Sequence, residues 1–137
     1  MKSQYQKVSP TILVIDNDPS TSAVFKRLLE TKDYNVLTTN SSRESLDIVQ
    51  RVMLDLIILD LLMPEMDGWQ VLNRIKENKN FINIPLIFLT AKSDDFTKTF
   101  GTTQTADFIE KPFDINNLHV RINNVIRKAN NDYLSIE

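Results

Sequence analysis

The sequence predicts an α/β protein in which helices cover both faces of one parallel β-sheet. Five short apolar runs alternate with segments of helical periodicity along the chain. Three of these runs are apolar almost throughout, which is typical of strands that are buried on both faces. Every proline lies at a predicted element boundary, namely Pro10, Pro19, Pro64, Pro85 and Pro112.

The five predicted strands are rich in β-branched residues and are bounded by residues that favour turns. They are Thr11–Ile15, Asn35–Thr38, Leu56–Leu59, Leu86–Leu89 and Asp107–Ile109. Because a helical segment separates successive strands, we expect right-handed crossovers and a parallel sheet. An open sheet of this kind binds its ligand at the carboxyl ends of its strands.

Helices are predicted between the strands and after the last one. Asp18 is a suitable N-cap with Pro19 at the first helical position, and Ser41 or Ser42 can cap the second helix. The third helix starts near residue 67, the fourth, with the weakest pattern, after residue 93, and the last after Asp114. The predicted buried face of the first helix is Val24, Leu28 and Leu29, and that of the second is Leu46, Val49 and Val52 or Met53. The third helix is predicted to bury Val71, Leu72 and Ile75. The last is predicted to bury Leu118, Ile122, Val125 and Ile126.

The composition is that of a soluble globular chain. It has 137 residues, enough for one domain, with 42% hydrophobic and 25% charged residues. The formal net charge of −2 gives no indication of binding to nucleic acid or to an anionic membrane. The absence of cysteine excludes disulfides and thiolate chemistry. No apolar run has transmembrane length, and the first ten residues lack a signal-peptide core, so we expect a cytoplasmic protein.

Candidate functional residues follow four of the five predicted strands. They are Asp16, Asn17 and Asp18 after the first strand, Asp60 after the third, Thr90 after the fourth and Lys111 after the fifth. Carboxylate and amide oxygens suit a hard cation such as Mg²⁺. A lysine and a hydroxyl add donors that can neutralise a phosphoryl group during transfer. An isolated aspartate after a strand is usually a helix cap, but agreement at four strand ends predicts a site.

Two chemical interpretations of Asp16 to Asp18 are open from the residues alone. The two carboxylates could be the nucleophile and the acid/base of a haloacid-dehalogenase-type phosphatase, or they could hold a metal for a nucleophile elsewhere. The phosphatase interpretation leaves Asp60 unexplained. It also expects a second acidic pair after a late strand, where this chain has Lys111 and Pro112, and a cap insertion, which is not present.

Four motifs in order, "ILVIDNDPS", "DLIILDLLMPEMDGW", "IPLIFLTAKSDD" and "DFIEKPFD", resemble a response-regulator receiver domain. The resemblance extends from about Thr11 to Arg127 and is closest to a stand-alone, chemotaxis-regulator-like receiver. It implies a doubly wound, five-stranded parallel sheet in the order 2-1-3-4-5, the flavodoxin-like (βα)5 fold. We expect an N-terminal extension over residues 1–10, a receiver domain over 11–129 and a polar tail over 130–137. Because about two dozen residues remain after Phe113, we expect no effector domain unless the chain is a piece of a longer protein.

The resemblance assigns a role to each polar group at the strand ends. Asp60 corresponds to the aspartate that accepts a phosphoryl group. Asp16 and Asn17 fall on the acidic pair of the site for Mg²⁺ or alternatively Mn²⁺. By the resemblance, Asn17 would ligate the cation directly and Asp16 mainly through water, with Asp60 and the carbonyl of Leu62 as further ligands. Thr90 and Lys111 correspond to the hydroxyl and the ammonium that contact the phosphoryl oxygens, and the residue after Lys111 is a proline that often has a cis peptide bond in this family.

A switch is also implied. Movement of Thr90 towards the acyl phosphate would free space for Phe108, the switch aromatic, and would change the surface formed by the fourth helix, fifth strand and fifth helix. Phe108 lacks the hydroxyl of the tyrosine often found there. Before the fifth strand, where the family commonly has a Gly-Ala pair, this chain has "TTQTADF", which is one residue shorter. His119, the single histidine, is assigned a surface or packing role.

The implied function is signalling rather than enzymatic turnover, apart from self-phosphorylation from phosphodonors and slow self-dephosphorylation. The expected partners are a histidine kinase or histidine phosphotransfer protein and a downstream protein, with the chain monomeric or a phosphorylation-dependent dimer. Binding to nucleic acid or a membrane is not expected. A degenerate receiver that works only through protein contacts is the alternative.

Asn17 motivates that alternative, because the family usually has a second acid at this position. Loss of one charge about 4 Å from the cation costs roughly 1–3 kcal/mol after desolvation, or one to two orders of magnitude in Mg²⁺ affinity. Our hypothesis is that the site needs more Mg²⁺ than a site with two acids. Equal Mg²⁺ affinities of the wild type and Asn17→Asp, measured by titration, would contradict it.

Overall fold

The computed structural model describes residues 9–16, 18–60, 73–74, 77, 84–90, 106–110 and 114–135, without the side chains of residues 42, 90, 106–108, 110 and 130–135. The elements are β1 Thr11–Ile15, α1 Pro19–Glu30, β2 Asn35–Thr39, α2 Ser42–Arg51, β3 Leu56–Asp60, β4 Leu86–Thr90, β5 Ala106–Glu110 and a C-terminal helix Ile115–Ser135. Residues 73, 74 and 77 are also helical and fall in the third predicted helix. The fourth predicted helix lies outside the described residues.

The five strands form one sheet in the order β2-β1-β3-β4-β5. Every pair is parallel, with β3 hydrogen-bonded between β1 and β4. This order confirms the doubly wound fold that the resemblance implied. It also places the carboxyl ends of all five strands along one edge of the sheet.

Both faces of the sheet are buried. Alternate residues of β1 and β3, such as Val14 and Ile58, pack with Phe25 of α1 and with Leu118 and Ile122 of the C-terminal helix. The remaining residues of these strands form a second cluster that includes Val49 of α2. The near-continuous apolar sequence of the inner strands is therefore explained by cover on both sides.

Four strands extend one residue further at their carboxyl ends than the apolar pattern predicts. The added residues are Thr39, Asp60, Thr90 and Glu110. The strand ladder depends on backbone groups, so it continues through a polar residue where the side-chain pattern stops. β5 also begins one residue earlier, at Ala106.

The predicted face of α1 is only partly correct. Leu29 is fully buried, but Val24 is 54% and Leu28 is 38% exposed. The residues of α1 that face the sheet are Ser22, Phe25 and Leu29. Asp18 caps this helix and Pro19 begins it, as predicted.

In α2 the predicted cap is confirmed, since Ser41 accepts a hydrogen bond from the backbone N–H of Glu44 at 3.2 Å. Val49 is buried and Leu46 packs partly against the same cluster. The stripe ends with the half-buried Val52, because Met53 is 88% exposed.

The C-terminal helix begins after Asp114, as predicted. Leu118 and Ile122 are fully buried, and Val125 and Ile126 pack partly against the same cluster, so the predicted face is confirmed. The helix continues to Ser135, so that residues 130–135, which the sequence assigns to a polar tail, are helical. The proposed buried face of the third helix lies outside the part of the chain that the structure describes.

Candidate functional site

Asp16 lies directly after β1, where the sheet ladder still holds its backbone. Its N–H donates to the carbonyl of Thr39 at the end of β2, at 3.1 Å. The side chain is 1% exposed, and its Oδ1 accepts a hydrogen bond from the backbone N–H of Asp18 at 2.9 Å. A buried carboxylate is therefore held at a fixed place on the carboxyl edge.

Asp18 turns the chain from this edge into α1. Its backbone is extended, and its side chain accepts hydrogen bonds from the N–H of Ser20 at 3.0 Å and from the hydroxyl of Thr21 at 2.8 Å. These are the contacts of a helix N-cap. The cap role predicted for Asp18 is confirmed.

Asp60 is the last residue of β3 and is 2% exposed. The β1–β3 register ends with Ile15 paired to Leu59, and Asp16 and Asp60 are the next residues of the two chains, so we infer that they lie side by side. Strands in a sheet are about 4.8 Å apart, and opposite residues of a parallel pair project to the same face. Two buried carboxylates therefore occupy adjacent strand ends on one face of the sheet.

The other predicted site residues are placed only in part. Thr90 is the last residue of β4 and follows Leu89, which pairs with Asp60. Phe108 lies in the middle of β5, where its backbone pairs with Phe88 of β4. The remaining predicted site residues, Asn17, Leu62 and Lys111, lie outside the described residues.

The donor set at this edge fits a hard divalent cation in its chemistry. Asp16 and Asp60 supply oxygen ligands of the kind that Mg²⁺ prefers, and their burial makes charge neutralisation valuable. Within the described ranges, no group of three or more histidine, cysteine, aspartate or glutamate residues could hold a metal on its own. A complete Mg²⁺ site would therefore need further donors, of which Asn17, the Leu62 carbonyl and water are the predicted ones.

Sequence reasoning missed two features, one of them next to this site. Thr39 is 4% exposed, and its hydroxyl accepts a hydrogen bond from the N–H of Ser41 at 3.2 Å, which joins the end of β2 to the cap of α2. A polar residue directly before the Asn-Ser turn was the available signal. His119 has the predicted packing role, and in addition its Nδ1 is 3.0 Å from the hydroxyl of Tyr34.

The chain belongs to the response regulator receiver domain family, whose model matches residues 12–123. Response regulator SaeR of Staphylococcus aureus is 30% identical over 118 residues, which cover 85% of this chain and 50% of that protein. A probable cyclic di-GMP phosphodiesterase of Vibrio cholerae is 34% identical over 136 residues, covering 93% of this chain and 31% of that protein. The chain thus spans half or less of the length of these curated relatives.

Solved structures agree with this assignment. A response regulator receiver domain protein from Clostridium thermocellum has a TM-score of 0.76 at 31% identity, covering 87% of this chain and 95% of that one. The receiver domain of a signal transduction histidine kinase from Syntrophus aciditrophicus has the same TM-score at 30% identity, with 87% and 91% coverage.

None of the helices within the described ranges is both long enough and apolar enough to cross a membrane.

Proposed function

We propose that this chain is a phosphorylatable receiver that accepts a phosphoryl group on Asp60 from a phosphohistidine of a partner protein. The observation that supports this most directly is the pair of buried carboxylates, Asp16 and Asp60, at the ends of adjacent strands in a receiver fold. Burial of two acids side by side is costly unless a cation or another positive group compensates them. In a phosphorylatable receiver, Mg²⁺ would be the compensating cation and Asp60 the phosphoryl acceptor.

In the proposed step, an oxygen of the Asp60 carboxylate attacks the phosphorus atom of the phosphohistidine. A phosphorus–oxygen bond forms, the phosphorus–nitrogen bond breaks, and its electron pair returns to the imidazole of the donor. Bound Mg²⁺ would supply positive charge that offsets the repulsion between the carboxylate and the phosphoryl oxygens. Asp16, Asn17, Asp60 and the Leu62 carbonyl are the proposed ligands.

Thr90 and Lys111 are the proposed contacts to the phosphoryl oxygens. Thr90 follows the residue of β4 that pairs with Asp60, which is a suitable place for a hydroxyl that meets the new acyl phosphate. Phe108, two residues before the end of β5, is the proposed switch residue. A change at β5 would reach the C-terminal helix, where a downstream protein could detect it.

Incubation with acetyl phosphate and Mg²⁺, followed by intact-mass measurement, tests the proposal. We expect the wild type to gain the mass of one phosphoryl group and Asp60→Asn to gain none. Asp47→Asn is a suitable control, since Asp47 lies on the exposed side of α2 and pairs with Arg51. It should be labelled like the wild type. An unlabelled wild type at saturating Mg²⁺ would contradict the proposal.

The alternative function is a receiver that signals only through protein contacts. It is favoured by Asn17, which removes one negative charge from the position where the family usually has an acid. An unlabelled wild type that still binds a partner, with equal affinity for Asp60→Asn, would support it. Binding that depends on Asp60 phosphorylation would exclude it.

A further inference from the structure

We propose that Asp18 is a positioning residue for the Mg²⁺ site and that it acts through its helix cap rather than through its charge. The inference rests on the proposed function, because it assumes that Asp16 takes part in holding the cation. It assigns to Asp18 a role beyond the local stability of α1. The argument depends on a series of hydrogen bonds that joins two carboxylates.

The series begins at Asp16 and ends in the first turn of α1. The backbone N–H of Asp18 donates to Asp16 Oδ1 at 2.9 Å. The Asp18 side chain in turn receives the N–H of Ser20 at 3.0 Å and the hydroxyl of Thr21 at 2.8 Å, one on each carboxylate oxygen. The donor that holds Asp16 is therefore itself fixed by the cap.

These contacts determine how the Asp16 carboxylate is oriented. Its backbone is fixed on one side by the hydrogen bond to the Thr39 carbonyl, and its side chain is fixed on the other by the Asp18 N–H. With the main chain and Oδ1 both held, the direction of Oδ2 is set as well. Groups that orient a metal ligand in this way commonly change metal affinity by 10–100-fold when they are removed.

The different exposure of Asp16 and Asp18 allows an effect of the cap geometry to be distinguished from an effect of the Asp18 charge. Asp16 is buried, whereas Asp18 is exposed, so that water and salt screen the Asp18 charge. Asparagine is as good an N-cap as aspartate: its oxygen can accept from the Ser20 N–H and its amide can donate to the Thr21 hydroxyl, so that both cap contacts can be kept without the charge. A role through the cap therefore predicts that Asp18→Asn behaves like the wild type, whereas Asp18→Ala does not.

The experiment is calorimetric titration of Mg²⁺ into the wild type, Asp18→Ala, Asp18→Asn and Thr21→Val. We expect Asp18→Ala to weaken binding about tenfold. Thr21→Val, which removes one contact to the cap, should weaken binding about threefold, and Asp18→Asn should change it less than twofold. Asp114→Ala is the matched control, because it removes the side-chain oxygen that accepts from the Asn116 N–H at the start of the C-terminal helix.

The outcomes distinguish this inference from the proposed function. Equal Mg²⁺ affinity of the wild type and Asp18→Ala would overturn the positioning role and leave the proposed function intact. Equal losses in Asp18→Ala and Asp18→Asn would show that charge matters and would also overturn it. If Asp18→Ala does not fold, Asp18→Asn and Thr21→Val still decide the question. A wild type that binds no Mg²⁺ would overturn both proposals.

Discussion

Tyr34 connects two elements that are far apart in the sequence. Its hydroxyl lies 3.0 Å from Nδ1 of His119 in the C-terminal helix, 85 residues away. The two rings meet edge to face, with centroids 5.5 Å apart. Tyr34 is 5% exposed, and this burial raises the pKa of its hydroxyl above the ordinary value of 10.0. The neutral form of Tyr34 is therefore favoured in the folded protein.

Replacement of Tyr34 by phenylalanine should lower the free energy of unfolding by about 1 kcal/mol at neutral pH, because one partly buried hydrogen bond is lost. Since the folded pKa is raised, the stabilising effect of the hydroxyl is complete below pH 10 and is lost as the pH rises through the folded pKa. The difference in the free energy of unfolding between the wild type and Tyr34→Phe should therefore become smaller as the pH rises through the folded pKa. Urea unfolding at pH 7 and at about pH 11 measures this.

A double-mutant cycle with His119→Ala is the control for that experiment. We expect the effect of Tyr34→Phe to shrink when His119 is already absent. Full additivity of the two substitutions would contradict the assigned hydrogen bond. A pH dependence identical to that of the wild type would contradict the role of the buried hydroxyl.

Helix α1 shows how burial differs between sequence neighbours. Leu29 is 0% exposed and belongs to the core, whereas Leu28 is 38% exposed. We expect Leu29→Ala to destabilise the protein by about 2–5 kcal/mol, because it leaves a cavity beneath the sheet. Leu28→Ala, the matched control, should cost less than about 1 kcal/mol. Thermal unfolding of both variants compares them, and similar losses would show that the helix is oriented differently.

The face of α1 could not be predicted from apolar spacing alone. The pattern was right for Leu29 but also favoured Val24 and Leu28, whereas the helix buries Ser22 and Phe25 beside Leu29. The rotation of a helix depends on tertiary packing and on the direction in which the chain enters it. That information is not contained in the helix's own periodicity.

The strands were predicted within one residue because burial on both faces gives them an unambiguous composition. The same reason made the site edge predictable, since polar residues stand out where apolar strands end. Asp16 and Asp60 could be placed in this way. Thr39 could not, because its part depends on its backbone carbonyl and on a hydroxyl in a turn. Its one sequence signal, a polar residue directly before Asn40 and Ser41, is common to many turns.

At the scale of the whole molecule, we expect the site to lower the stability of the fold that carries it. Asp16 and Asp60 are both almost completely buried on neighbouring strands, and like charges at that separation repel each other. Sites optimised for function commonly reduce stability in this manner. The cost should be visible when no divalent cation is present.

In the presence of a chelator, Asp60→Asn should therefore unfold at higher urea concentration than the wild type, by a free energy of about 1 kcal/mol. Added Mg²⁺ should stabilise the wild type more than the variant, because binding to the folded state adds to stability. Asp47→Asn, at an exposed ion pair of α2, should change stability by less than about 0.5 kcal/mol. A less stable Asp60→Asn would show that the carboxylate is well compensated without the cation.

The central position of β3 has a mechanical consequence. With two strands on either side, the tip of β3 is about 10 Å from both outer strands of the sheet. On the β1 side, hydrogen bonds brace the neighbouring tip against β2 and against the start of α1. A movement in that direction would have to break these hydrogen bonds. If phosphorylation acts through Thr90 at the end of β4, as we propose, we therefore expect little change in the conformation of β2. The signal of a spectroscopic label on β2 should then not change on phosphorylation, whereas the signal of a label on β5 should change.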